Sequence, residues 1–498
     1  MEQPTAARGS IILLAVLAIT SALGYGLNIV LAWLLPADDY GTYGIAIAIL
    51  GILSIFITYG FPWTVVKFLA EYGDKGTSYP IFKSALLGNF LIALVISALF
   101  YLVYSFFLFS TNIPDAVIFI IMAIILVFSL RAIYLRTLHG RMRFQEFGTV
   151  SIIEAVLRVA VGLGLVLLGY NVAGALAGQL LAGLVALIIA AYLLRDFKFW
   201  LGKGWANIKV FTFAWRMFLG MLGITMLNQV DILGVRFFSQ GTVTAQLVGY
   251  YQAVRILAFI PLYLAGGFMG GVFPFISRYA EEGSRNYFLL TLRYIVLIAI
   301  PFFAILVAIP GSFIELVFPP AYVAGADAIR ILAVGGVLVA IIYVLVQVLQ
   351  ALGHPGLPAK VLMIAALLQI GLLAVLVPNF GLVGAAAATS IACLFGAIWL
   401  TVKIAVLYQL KPQLGQIVKL MLTLAITGLS LFLIPHSGRI LTVLDVVLVS
   451  MIYLFLLVVL RLLRVSDIDI LRSALPQNSL ILAPVRVLKK LIVRLGGS

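Results

Sequence analysis

Charged side chains stand inside long apolar runs at Glu154, Arg158, Arg216, Asp231, Arg236, Arg255, Asp327 and Arg330. A charge at the centre of a membrane helix costs about 2.5–3.5 kcal/mol on insertion scales, so each must face water, a partner or a ligand. Guanidinium groups in a low-dielectric cavity suit the recognition of an anionic headgroup, and acids among them suit ion pairing. Covalent chemistry has no comparable support. His139, His354 and His436 fall at predicted span ends without metal-ligand spacing. There is no phosphate loop, no Ser-His-Asp arrangement on one side of a membrane and no soluble nucleotide-binding domain. No catalytic residue, metal or cofactor is expected.

Spacing sorts these charges. Glu154 and Arg158 stand four apart with the acid first, the favourable order for an intrahelical pair; the alternative is that Arg158 faces a cavity. Arg236 lies two residues from the end of its apolar run and can snorkel to the interface. Arg330 is similarly shallow, with Asp327 at spacing three. Asp231 and Arg236 are five apart, about 140° around a helix, and cannot easily satisfy each other. Asp231 lies seven residues from the end of one span and Arg255 nine residues into the antiparallel next one. At about 1.5 Å per residue their depths are close, which predicts an Asp231–Arg255 contact. The functional reading joins Arg255, Arg158 and Arg216 into a cationic cavity, with Asp231 at its edge. The two readings are compatible if the pair breaks and re-forms during transport.

The elements carrying these residues follow from composition. The chain is 64% hydrophobic and 10% charged, against about 25% charged for soluble domains; it is polytopic and all-α. Fourteen spans are expected near 10–35, 41–66, 84–109, 115–135, 147–169, 172–194, 210–238, 246–276, 287–309, 326–351, 357–377, 382–407, 415–434 and 440–462. The first, Ser10 to Leu35, is too long for a signal-peptide core and is read as a retained helix. The single Cys393 can form no intramolecular disulfide and reads as a packing residue.

The net charge of +15 is dispersed between spans, which argues for a membrane rather than a nucleic-acid partner. Most of the Arg and Lys residues fall in every other connection, counted from the N-terminus. The opposite connections, such as "PADD" (36–39) and "VPNF" (377–380), are short and nearly bare. The positive-inside rule then places both termini in the cytoplasm of a plasma (inner) membrane protein. In the tail, "LAPVRVLKKLIVRL" (482–495) lines Val485, Leu488, Ile492 and Leu495 on one helical face and Arg486, Lys490 and Arg494 on another, as an interfacial helix on anionic lipid would.

The chain also repeats itself. "KFLAEYGDKG" (67–76) answers "SRYAEEGSRN" (277–286), and Gly174 in "NVAGALAG" answers Gly384 in "GLVGAAAA", both at an offset of 210. "GTYG" (41–44) answers "VGYY" (248–251), and "LRTLHG" (135–140) answers "LQALG" (349–353). Six spans per repeat give both copies one orientation, the arrangement of transporters with a site between the repeats near the midplane. The units expected are an N-terminal six-helix lobe (1–205), a C-terminal six-helix lobe (206–410), helices 13 and 14 (411–464) and a cytoplasmic tail (465–498). Gly266 with Gly270 and Gly267 with Gly271 give small faces for close packing in span 8, or, with Pro261 and Pro274, a flexible segment.

The segments "LLPADDYGTYGIAIAILGILSIFITYGFPWTVVKFLAEYG" (34–73), "LHGRMRF" (138–144), "NQVDILGVRFF…LVGYYQAVRI" (228–256), "VFPFISRYAEEG" (272–283), "FPPAYVAGADAIRILAVGG" (318–336), "VLQALGHPGLPAK" (348–360) and "NFGLVGAAAATSIA" (379–392) resemble the Wzx-type oligosaccharide flippases. These form the polysaccharide-transporter branch of the multidrug/oligosaccharidyl-lipid/polysaccharide exporter superfamily. The resemblance implies a V-shaped pair of six-helix lobes, alternating access and no enzymatic step. The implied cargo is a polyprenyl-diphosphate-linked oligosaccharide, moved from the cytoplasmic to the outer leaflet for surface polysaccharide biosynthesis. Membrane lipids are partners, and a polysaccharide polymerase and chain-length proteins are candidate ones. Two related functions stay open: lipid II flipping, and cation-coupled multidrug antiport with Glu154 as the acid. A membrane glycosyltransferase is disfavoured by the short loops.

Overall fold

The computed structural model describes residues 3–72, 78–108, 113–197, 208–239, 244–266, 284–351, 354, 356–409, 414–433 and 438–463. No strand occurs among them. The helices are α1 (Gln3–Leu34), α2 (Ala37–Thr58), α3 (Phe61–Tyr72), α4 (Ser78–Val103), α5 (Asp115–Gly140), α6 (Phe144–Leu165), α7 (Asn171–Leu193), α8 (Ile208–Phe238) and α9 (Thr244–Ala258). There follow α10 (Ile260–Gly266), α11 (Ser284–Ala308), α12 (Pro310–Val317), α13 (Ala326–Ala351), α14 (Gly356–Leu407), α15 (Leu414–Phe432) and α16 (Arg439–Val459).

Among the described residues, nine helices are long and apolar enough to cross a membrane, and two bent pairs add two more. Two of the nine, Phe144–Leu193 and Gly356–Leu407, run 50 and 52 residues. At about 1.5 Å per residue each is more than twice a bilayer core of about 30 Å, so each holds two spans. With the shorter apolar helix Val418–Phe432, these make up the fourteen expected spans. Span 2 is broken at Tyr59–Gly60 between α2 and α3. Span 8 bends by 45° between α9 and α10, and span 9 turns by 103° into α12.

The sequence repeat has a backbone counterpart. Asn171 (φ 42°, ψ −128°) and Gly381 (φ 54°, ψ −130°) share one strained conformation at positions 210 apart. Each opens the second member of a paired span. Shortly after, Gly174 and Gly384 lie against the preceding span: a Cβ on Gly174 would stand 3.0 Å from Leu165 carbons, and one on Gly384 would overlap the Leu376 carbonyl. Positive φ costs a residue with a Cβ roughly 1–2 kcal/mol, with Asn among the most tolerant.

Helices α1 to α7 pack among themselves, as do α8, α9, α11, α13 and α14. The two sets meet where α2 lies along α9 and α8, with α3 also on α8 and α1 on α9. At the α2–α9 crossing, a Cβ on Gly41 would overlap the Ala245 carbonyl, and one on Gly249 would overlap that of Ala37. The two contacts are mirror statements of each other, as expected at an axis relating two like halves. Tyr322, with ring centroids 5.7 Å from Tyr40 and 5.6 Å from Tyr250, roofs the same end.

Helices α15 and α16 stand outside both sets, against α11 and α12. Arg439 at the head of α16 reaches further, lying 5.1 Å from the Trp33 ring of α1. The tail helix expected at 482–495 lies outside the described residues, as do Gly267, Gly270, Gly271, Pro274, His436, residues 73–76 of the first repeated segment and 277–283 of the second.

Candidate functional site

A cavity of about 340 Å³ opens among α1, α2, α5, α6 and α7, closed on one side by Gln229 of α8. Its polar lining is Asn28, Tyr43, Ser54, Thr58, Arg131, Arg158, Gln179 and Gln229. Glycines shape it. A Cβ on Gly24 would come within 3.2 Å of the Arg158 guanidinium, and one on Gly51 within 2.6 Å of the Gln229 amide nitrogen. Any larger residue at either position would fill the space that these two side chains use. Arg158 is fourteen residues into α6, about 21 Å from that end and so near the middle of a bilayer core.

The expected Glu154–Arg158 pair is not the one observed. Glu154 is ion-paired with Arg131, one helix away on α5. Spacing along α6 favours Arg158, but α5 lies against α6 and brings in a second guanidinium, which the face of Phe128 supports at 4.2 Å. Arg158 is thereby left to the cavity, and its Nε is buried without a hydrogen-bond partner. The Nε of Arg131 and the carbonyl oxygen of the Gln229 side chain are buried and unpartnered in the same way. Arg131, Gln179 and Gln229 escaped sequence reasoning. Arg131 sits near the predicted end of its span, and amides carry no charge signal.

Asp231 and Arg255 form a different kind of site. Arg255 Nε lies 3.1 Å from Asp231 Oδ2, with the Asp231 side chain fully buried and Arg255 13% exposed. The carboxylate also accepts from the Ile232 N–H at 2.9 Å and the Tyr251 hydroxyl at 3.3 Å. Tyr251 in turn lies 3.5 Å from the Thr389 hydroxyl, to which Gln369 donates at 3.0 Å. This chain of polar groups ties α8, α9 and α14 together and is largely self-satisfied. Arg255 stacks 5.0 Å from Phe259 and does not line the cavity that holds Arg158.

The remaining charges are peripheral. Arg236 donates to the Thr244 hydroxyl, while Arg330 pairs with Asp327 at 2.8 Å on the exposed surface. The backbone of Arg216 belongs to α8 and its side chain lies outside the described residues; of the other two arginines expected in one cavity, Arg158 lines it and Arg255 does not. The arginines that share the cavity are Arg158 and Arg131. No group of three or more metal-ligating side chains occurs among the described residues.

Comparison with known proteins adds four findings. The family model described as polysaccharide biosynthesis protein matches residues 6–280. The probable low-salt glycan biosynthesis flippase Agl15 of Haloferax volcanii is 25% identical over 368 residues, covering 72% of this chain and 74% of that one. The lipid II flippase MurJ in an inward closed conformation is similar with a TM-score of 0.68 at 18% identity, over 88% of this chain and 97% of that one. An inward-facing multidrug resistance MATE family transporter of the MOP superfamily is similar with a TM-score of 0.58 at 14% identity, over 81% and 100%. At these identities the two structures speak to the fold alone.

Proposed function

The chain belongs to the polysaccharide biosynthesis protein family, whose model spans more than half of it, and on that premise we propose that it is a flippase for a polyprenyl-diphosphate-linked oligosaccharide. The observation that carries the proposal is Arg158: a guanidinium at mid-depth, facing a cavity, with no carboxylate paired to it among the described residues. A buried cation without a partner is costly, and a diphosphate is a fitting counter-charge for an arginine fork. The sugars would cross in the cavity while the polyprenyl chain stays in lipid. No bond is made or broken.

The proposed route is alternating access between lobes 1–205 and 206–410, with 411–464 as an added helical pair and 465–498 as a cytoplasmic tail. With both termini in the cytoplasm of the plasma membrane, the Gly41–Gly249 crossing lies on the outer side. The arrangement then corresponds to a state closed outward. Lipid II shares the polyprenyl diphosphate and stands as the neighbouring alternative; the family assignment and the similarity to a glycan biosynthesis flippase favour an oligosaccharide cargo. Cation-coupled drug antiport is less well supported, because Glu154, the acid it would use, is held by Arg131.

The test is leaflet accessibility of a labelled lipid-linked oligosaccharide in cells depleted of the protein and re-supplied with it. Wild type restores outward exposure, whereas Arg158→Gln, expressed at the same level, leaves it at the depleted level. Full exposure in depleted cells lacking any redundant transporter would end the proposal, and normal exposure with Arg158→Gln would remove Arg158 from it.

A further inference from the structure

Arg136 is a third arginine of this region. Arg136 lies near the end of α5, four residues before Gly140, and Arg131 nine before it. At about 1.5 Å per residue the side chains start about 6, 14 and 21 Å from the same end for Arg136, Arg131 and Arg158. They form a staircase from the α5–α6 turn to the cavity.

The surroundings of Arg136 are aromatic. Its guanidinium lies 4.3 Å from the Trp63 ring centroid and 5.9 Å from that of Phe147. One arm is 3.2 Å from His139 Nδ1. Arginine can only donate, so Nδ1 accepts and the imidazole proton sits on Nε2. The His139 ring packs against Trp63, Phe144 and Phe147 in turn. Meanwhile the Trp63 Nε1–H is buried and has no acceptor.

No ion pair to Arg136 exists among the described residues. Three acids of α6 and of the turn after α7 are engaged elsewhere: Glu146 with Arg143 at 2.5 Å, Asp196 with Arg141 at 2.8 Å, and Glu154 with Arg131. Of Arg131, Arg136 and Arg158, Arg131 alone has a carboxylate partner among the described residues, Glu154, which leaves two positive charges over. A cation held in an aromatic box gains about 0.5–2 kcal/mol from the rings, which does not replace a counter-ion for a desolvated guanidinium. Trp63 adds an idle donor beside the cation. Donors without acceptors around an unpaired cation are what an anion site looks like before its ligand arrives.

We propose that Arg136, Trp63 and His139 form a second anion site, which receives a diphosphate or phosphate group near the α5–α6 turn before it passes to Arg131 and Arg158. The site would act as a staging post on the cytoplasmic side. This deepens the flippase reading and rests on it for the direction of passage. Binding itself does not depend on transport, so the two can fail separately.

The experiment uses full-length protein in detergent, labelled with 5-fluorotryptophan, with the Trp63 resonance assigned by its loss in Trp63→Phe. Titrations are made in the Arg158→Gln background, so that the cavity site does not compete. Farnesyl diphosphate and inorganic pyrophosphate test a lipid headgroup and a free anion, and farnesol tests the apolar chain alone. A saturable shift of the Trp63 signal is expected with farnesyl diphosphate, weakened at least ten-fold by adding Arg136→Gln. A matching response to pyrophosphate assigns the site to the bare anion, while silence with pyrophosphate assigns it to the lipid headgroup; both support it. An equal response to farnesol, or one that Arg136→Gln leaves unchanged, overturns the proposal. Should Arg136→Gln not fold, Arg136→Lys, which keeps charge but loses the fork, is expected to bind several-fold more weakly; unweakened binding by that variant also overturns it. If wild type binds at this site yet moves no lipid in the leaflet assay, the flippase reading falls and the site stands.

Discussion

Replacing Gly41 by alanine should open the cavity toward the outer side. The added Cβ would stand 2.8 Å from the Gly249 nitrogen and overlap the Ala245 carbonyl oxygen. Both obstacles are backbone, so no rotamer change can relieve them and the helices themselves must part. Overpacking a tight interior costs about 1–3 kcal/mol. At about 2 kcal/mol, the balance between this arrangement and one with the crossing separated moves about 30-fold. A separated state holding about 1% of molecules, ordinary for a minor conformer, would rise to about a quarter. The assay uses Ser54→Cys, which faces the cavity, in a background where the buried Cys393 is replaced by serine. A membrane-impermeant maleimide added outside should label the Gly41→Ala protein about 20-fold faster than its parent. Gly371→Ala, where a new Cβ meets nothing within 4 Å, is the control and should label at the parental rate. Unchanged labelling of folded Gly41→Ala protein would refute the argument that this crossing is the outer seal.

Three further outcomes are expected. Arg255→Gln should destabilise the protein by about 3–5 kcal/mol, because it strands the buried Asp231 carboxylate; Asp231→Leu with Arg255→Met together should cost less than either alone, as read by a double-mutant cycle of denaturant unfolding. Asp196, in the turn after α7, accepts two hydrogen bonds from Arg141 at 2.8 and 3.2 Å, and these hold its carboxyl below the usual range. Its contribution is therefore complete above about pH 4 and lost as the pH falls through the lower folded-state value; the melting-temperature gap between wild type and Asp196→Asn should close on acidification from pH 4 and stay constant above it. Gly381→Ala should lower stability by about 1–2 kcal/mol, while Asn171→Gly should be neutral or stabilising by up to about 1 kcal/mol, both read from thermal unfolding in detergent.

Fourteen hydrophobic runs and a 210-residue offset can be read from the sequence because membrane insertion imposes length and polarity on each span separately. Depth along a helix is equally local, which is why matching distances from span ends puts Asp231 beside Arg255. Partners across helices are not local. Nothing on α6 says that α5 presents Arg131 to Glu154, so one-helix spacing selects Arg158 and misassigns the pair. The amides Gln179 and Gln229 line the cavity without an insertion penalty large enough to mark them. Gly24 and Gly51 look like any of the chain's 45 glycines until the side chains they make room for, Arg158 and Gln229, are in place. The break at Gly60 and the bends after α9 and α11 each fall just before a proline, Pro62, Pro261 and Pro310, and so belong to the legible part.

The mirrored contact of Gly41 with Ala245 and Gly249 with Ala37 also bears on descent. A six-helix chain of half this length, carrying one such glycine and one such alanine, would present a surface complementary to itself and could pair as a homodimer. Joining two copies end to end keeps that seam while releasing the halves to diverge. The first half holds Arg131, Arg136 and Arg158, of which Arg131 is paired with Glu154. The second closed its Asp231 upon Arg255. The seam thus has the geometry of a homodimer contact held within one chain, while the charges of the two halves have diverged around it.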